Sequence, residues 1–185
     1  MKELVWNRQL LPAVSRFAAQ PFLTDTGTGT TTTYGEHGSR VLRLAGALRK
    51  ELGVQPGDRV AVMSLNSGMY EELYHAGLLG AAVVNPLNLR FAPRELTHVL
   101  ADSATKVVFV DAVFAPVIDA VREAAGVRTV VLMGDGKGSG TAPHDVTYED
   151  LIAAGEEVVP AEPEEDDAVM LMYTGGTTGL PRACC

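Results

Sequence analysis

The 185-residue sequence predicts an α/β protein with a largely parallel sheet flanked by helices. Short runs rich in β-branched residues recur along it: RVAVMS at 59–64, KVVFV at 106–110 and RTVVLM at 128–133. Amphipathic stretches of helical period separate these runs. Strands alternating with helices of roughly 10–15 residues require crossover connections, and therefore parallel pairing. The composition is that of an ordinary globular chain, 46% hydrophobic and 21% charged, which excludes collagen-like, mucin-like and wholly disordered classes.

The elements follow in order. Trp6, Leu10, Val14 and Phe17 recur at helical spacing after Asn7, an expected N-cap, and predict a short amphipathic helix packed on the domain. The Thr/Gly stretch 24–33 reads as a hairpin or loop ending in a short strand. Thr33 and Glu36 have capping-box spacing, and Val41, Leu44, Ala45, Leu48 and Leu52 form one helical face that Gly53 terminates. Pro56-Gly57-Asp58 is a turn into the strand 59–64. Ser67 caps a helix carrying Met69, Leu73 and Ala76, and 82–85 is a buried strand. Pro93 opens a helix with Leu96, Val99 and Leu100 inward; Pro116 opens another with Val117, Ile118 and Val121 apolar, and Gly126 closes it. After the strand 128–133 and a glycine-rich loop, Thr147-Tyr148-Glu149-Asp150 starts a short helix ending at Gly155. A solvated acidic linker is expected next, and then AVMLMY at 168–173 as a continuous strand apolar on both faces.

Charge and cysteine content narrow the function. The net charge is −8, and seven acidic residues between Gly155 and Asp167 account for nearly all of it. No basic footprint exists, so no nucleic-acid partner is expected. The two cysteines, Cys184 and Cys185, are adjacent at the end, which precludes a disulfide framework and fits a reducing compartment. The apolar run 76–84 is far too short for a membrane span, and a cytoplasmic protein is predicted. His37, His75, His98 and His144 lack metal-ligand spacing and are expected to be structural or solvated. Met170 and Met172 are expected in the core, and Asp111 is expected to cap the segment after its strand. The tract GDGKGSG at 134–140 has Ser139 where a dinucleotide fingerprint needs its third glycine, and Pro143 follows where a helix should start. This argues against an oxidoreductase.

The chemistry is expected at TGGTTGLPR, 174–182. Gly175, Gly176 and Gly179 let the backbone turn tightly and approach a ligand, and successive N–H groups in such a turn make an anion nest. Thr174, Thr177 and Thr178 add hydroxyls, and Arg182 adds a permanent charge suited to phosphate. A hydrogen bond to a charged group contributes roughly 1.5–3 kcal/mol, so several together would hold a triphosphate tail.

YTGGTTGLP at 173–181 resembles the phosphate loop of the AMP-forming, acyl-adenylate-forming enzymes, which include acyl-CoA synthetases, adenylation domains and luciferases. GVQPGDRVAV at 53–62, GLLGAAVVNPLNLR at 77–90, Arg94-Glu95-Leu96, Ala101-Asp102-Ser103 and KVVFVD at 106–111 are similar to further stretches of that family. The string Pro86-Leu87-Asn88-x-Arg90 is more like fatty-acyl or aryl CoA ligases than peptide-synthetase domains. The resemblance implies that 1–185 is the N-terminal portion of an AMP-binding domain, ending just after the phosphate loop, with the C-terminal lid domain absent. It implies ATP, Mg²⁺ and coenzyme A as cofactor and co-substrates, and a small carboxylic acid as the molecule activated. Thr174, Gly175, Gly176, Thr177, Thr178, Gly179 and Arg182 would hold the β- and γ-phosphates, with Thr174 beside the metal. No catalytic residue is assigned, since the family's catalytic Lys would lie beyond residue 185. The chain alone is therefore expected to be inactive; the alternative is a truncated fragment that binds nucleotide phosphate weakly or not at all. Arg182 stands where the family usually has Lys, Gly175 where Ser is common, and Ala183-Cys184-Cys185 departs from the usual continuation. An apolar strand without cover predicts self-association.

Overall fold

A computed structural model of the chain describes residues 5–134, 141–175 and 179–184. Its centre is a five-stranded, all-parallel sheet of β3 (Arg59–Met63), β4 (Val83–Pro86), β5 (Val107–Asp111), β6 (Thr129–Met133) and β7 (Val146–Thr147), in the order β4-β3-β5-β6-β7. Of these, β3, β4, β5 and β6 match expected strands with ends moved by one residue, and β7 is an addition. Its two residues carried no periodic signal.

Residues along each central strand alternate between two cores, as a period of two requires. Val60, Val62, Val107, Phe109, Val131 and Met133 face one core, with α2 (Tyr34–Lys50), α3 (Gly68–Leu78) and α6 (Tyr148–Ala154). Ala61, Met63, Val108, Val110, Val130 and Leu132 face the other, with α4 (Pro93–Asp102) and α5 (Ala115–Ala125). Both faces are covered, which is why the strands read as unbroken apolar runs.

Helix ends follow the local chemistry. Thr33 and Glu36 form the full capping box, with Thr33 N donating to Glu36 Oε2 at 2.8 Å. Ser67 and Thr147 each accept a first-turn N–H, and Gly126 ends α5 at φ 73°, a left-handed conformation with no steric cost for glycine. The first helix, α1 (Asn7–Arg16), begins at Asn7, but Trp6 is the cap residue and no side chain caps it. The Asn7 amide instead donates to the Leu79 carbonyl. The Thr/Gly stretch forms an antiparallel hairpin of β1 (Pro21–Thr24) and β2 (Thr31–Thr33).

The acidic segment after α6 is not a free linker. It runs along α2, where Val158 N donates to Leu42 O, Lys50 pairs with Glu156, and Ser39 donates to Glu157. The approach is close because α2 has Gly46 there. A Cβ at that position would lie 2.1 Å from the Glu156 carbonyl oxygen. Arg8 on α1 pairs with Glu162, and Ala161 passes Gly80. This strap carries the chain from the β7 edge of the sheet to the β4 edge.

The segment 168–173 departs from expectation. It meets the outer edge of β4 at one parallel bridge, Val84–Met170, flanked by Leu171 N to Val84 O and Val84 N to Val169 O. Beyond it the chain forms β8 (Met172–Thr174), which pairs antiparallel with β9 (Arg182–Cys184). Met172 is 50% exposed, so it is not core, and Met170 is half-buried against the Tyr74 hydroxyl. Apolar continuity suggested burial on both faces, but at a sheet edge only the Tyr173 side turns inward.

Candidate functional site

The β8–β9 hairpin carries the predicted phosphate segment. Its register places Thr174 directly opposite Arg182 at the last rung, so both side chains leave the same face of the ribbon at the mouth of the connection between them. Both residues are exposed, as are Gly175 and Gly179, and nothing lies within 4 Å of where a Cβ would stand on either glycine. Gly176, Thr177 and Thr178 lie outside the described residues.

The hairpin is mounted on α4. Tyr173, 8% exposed, joins the core of α4 and α5, and its hydroxyl donates to Asp102 Oδ2 at 2.6 Å. One turn earlier on the same helix, His98 Nε2 donates to the Pro181 carbonyl at 3.1 Å. His98, expected to be structural or solvated, is half-buried and bonds a residue 83 positions away.

Among the described residues, no group of three or more His, Cys, Asp or Glu could hold a metal ion. Thr174 offers one exposed hydroxyl oxygen. Mg²⁺ takes about six oxygens, usually one or two carboxylates with phosphate and water. The described residues therefore fit a minor share in an ion carried by a nucleotide, and not a resident site.

Asp111 does not cap the following segment. Its carboxylate accepts from Ser64 Oγ and from Leu65 N, both at 2.8 Å, and ties the carboxyl ends of β5 and β3 together. In an open α/β sheet the strand order reverses at such a point, and ligands commonly enter there. Here the carboxylate is engaged across it.

Two buried clusters gave no signal in the sequence, because their members lie far apart along it. His37 and His75 face each other with Nε2 and Nδ1 2.6 Å apart, and the Phe22 ring stacks on His37 at 4.1 Å. Burial pushes His37 down to about 3, assisted by the charge of His75 and Arg40, and burial also lowers His75 against the opposing pull of Glu71. Glu72, 4% exposed, accepts from Arg40 Nε at 2.6 Å and from Tyr148 Oη at 2.7 Å, while Arg40 also pairs with Glu149. Burial and the neighbouring Glu72 push the Tyr148 phenol well up. A cleft of about 490 Å³ lies between the Thr24–Asp25–Thr26 hairpin tip and Asn66, Ser67, Tyr70 and Tyr74; no described residue of 174–182 lines it.

Comparison with known proteins gives concordant results. The family model described as AMP-binding enzyme matches residues 12–185. A long-chain-fatty-acid–CoA ligase of Thermus thermophilus is 38% identical over 82% of this chain, and a feruloyl-CoA synthase of an Amycolatopsis species is 39% identical over 83%. The alignments cover 27% and 28% of those relatives, so the chain spans less than a third of their length. The solved structure of a Mycobacterium tuberculosis fatty acyl CoA synthetase superposes with a TM-score of 0.74 at 27% identity, over 94% of this chain and 32% of that one. No described helix is long and apolar enough to cross a membrane. With a parallel sheet, a glycine-rich hairpin at its edge and a family match over nearly its whole length, the chain belongs to the AMP-binding enzyme family.

Proposed function

We propose that this chain is the phosphate-loop portion of an AMP-forming acid–thiol ligase. In that reaction a carboxylate oxygen attacks the α-phosphorus of ATP, the bond to the bridging oxygen breaks, and pyrophosphate leaves. The sulfur of coenzyme A then attacks the acyl carbon, and AMP leaves. Thr174, Gly175, Gly176, Thr177, Thr178, Gly179 and Arg182 hold the β- and γ-phosphates, and Thr174 lies beside the Mg²⁺ that neutralises them. These residues orient the triphosphate and offset its charge, which is most of what a protein contributes to such a step.

The observation that carries the reading is the register that sets Thr174 against Arg182 at the open end of a glycine-flanked connection. The relatives named long-chain-fatty-acid–CoA ligase and feruloyl-CoA synthase support a fatty-acyl or aryl acid as substrate. Because the chain spans under a third of such relatives, the 185-residue chain alone binds Mg²⁺–ATP but forms no adenylate. Calorimetric titration with Mg²⁺–ATP and carboxylate-dependent ATP–pyrophosphate exchange test both halves. Absence of ATP binding overturns the phosphate-loop assignment, and exchange by the isolated chain overturns its inactivity.

A further inference from the structure

We infer that α4 is the mount of the phosphate loop, with Asp102 and His98 acting as positioning residues; this rests on the reading of 174–182 as that loop. A local rule is violated at the end of this helix. Asp102 lies in the last turn of α4, at the negative end of the helix dipole, and no basic residue stands in that turn. A carboxylate there destabilises its own helix, so a compensating interaction is to be sought. It is the Tyr173 hydroxyl at 2.6 Å, a charge-assisted bond at the short end of the range.

His98 lies four residues before Asp102, on the same side of the helix and one turn away. Its bond goes to the Pro181 carbonyl, on the returning limb of the hairpin. One rigid helix therefore holds both limbs, at Tyr173 and at Pro181. The residues immediately following these two anchor points are Thr174 and Arg182, the cross-strand pair at the mouth of the loop. Among the described residues the segment also meets the main sheet at the Val84–Met170 bridge on the β4 edge, so α4 and β4 together fix the hairpin, with α4 supplying the side-chain anchors on both limbs. Asp102 and His98 touch no nucleotide; they fix where Thr174 and Arg182 stand relative to each other and to the sheet.

The test compares Asp102→Ala, Asp102→Asn, Tyr173→Phe and His98→Ala in the 185-residue chain. Amide exchange and the affinity for inorganic pyrophosphate with Mg²⁺ are read together. Losing one anchor bond is expected to speed exchange of the 172–175 and 179–184 amides about tenfold and to weaken pyrophosphate binding about tenfold, while β5 stays protected. Asp102→Asn is expected to restore both, because its amide oxygen still accepts from the phenol. Asp102→Ala also relieves α4 of its misplaced charge, so loss of protection in α4 itself is not expected. Hairpin exchange unchanged in Asp102→Ala, Tyr173→Phe and His98→Ala overturns the inference. So does faster exchange with unaltered pyrophosphate affinity. If the unsubstituted chain binds neither pyrophosphate nor ATP, the phosphate-loop reading fails separately, and exchange alone decides whether α4 anchors the hairpin.

Discussion

Arg182 and His37 illustrate how position decides what a charge does. Arg182 is exposed at the mouth of the β8–β9 connection, where its guanidinium is open to the phosphate proposed to bind there. Replacing Arg182 by Ala is expected to weaken Mg²⁺–ATP binding by about 10- to 100-fold, the worth of one charge-assisted bond at roughly 1.5–3 kcal/mol. Arg182→Lys should retain most of it, and calorimetric titration distinguishes the two. His37 is buried among Phe22, His75 and Arg40, and its depression to about 3 makes it a proton acceptor only when the chain unfolds. The unfolded state takes up the proton first, so the contribution is intact above about pH 6.5 and declines as pH falls toward 3. Each unit below 6.5 costs about 1.4 kcal/mol for this group. Denaturant titrations between pH 7 and 5 should show that slope, and His37→Gln should flatten it by about one proton. His75 contributes a second, similarly signed share.

At the scale of elements, caps and periodic faces were legible in the sequence, and long-range company was not. Thr33 with Glu36, Ser67, Thr147 and Gly126 act locally, so a few neighbouring residues suffice to read them. The glycines of 174–182 and Arg182 stand out as candidates for the same reason. The pairing of His37 with His75, of Glu72 with Tyr148 and of Tyr173 with Asp102 depends on the sheet having formed, and no spacing rule reports it. The acidic segment misled because charge density signals solvent exposure but not whether the backbone beneath is docked. Gly46 held the clue, as a glycine in the middle of a good helix with no turn to explain it. Gly46→Ala therefore separates two expectations. Helix propensity alone predicts about 1 kcal/mol of stabilisation. The 2.1 Å approach of the Glu156 carbonyl predicts net destabilisation and detachment of the strap. Thermal melts and proteolysis within 155–163 should show the second.

For the whole molecule, both sheet faces are covered, but among the described residues β4 is continued by one bridge before the chain turns into the β8–β9 hairpin. Met172 and Leu180 of the hairpin segment are 50% and 38% exposed, and Leu65 and Val113, which follow the carboxyl ends of the adjacent strands β3 and β5, are 60% and 72% exposed. Concentration-dependent association is the expected outcome, measured by sedimentation velocity across a hundredfold range. A single monomeric species throughout would contradict it.

The strap also sets a sequence of events in time. Met170 reaches Val84 only after the chain has crossed the whole width of the sheet, so that contact closes a loop of more than eighty residues. Closing so long a loop is entropically expensive until the intervening strands and helices have shortened it. The hairpin is then expected to be among the last parts to acquire protection during refolding, after the main sheet has formed. A nucleotide held at 174–182, as proposed, would therefore select molecules that have already completed the fold and would not nucleate it.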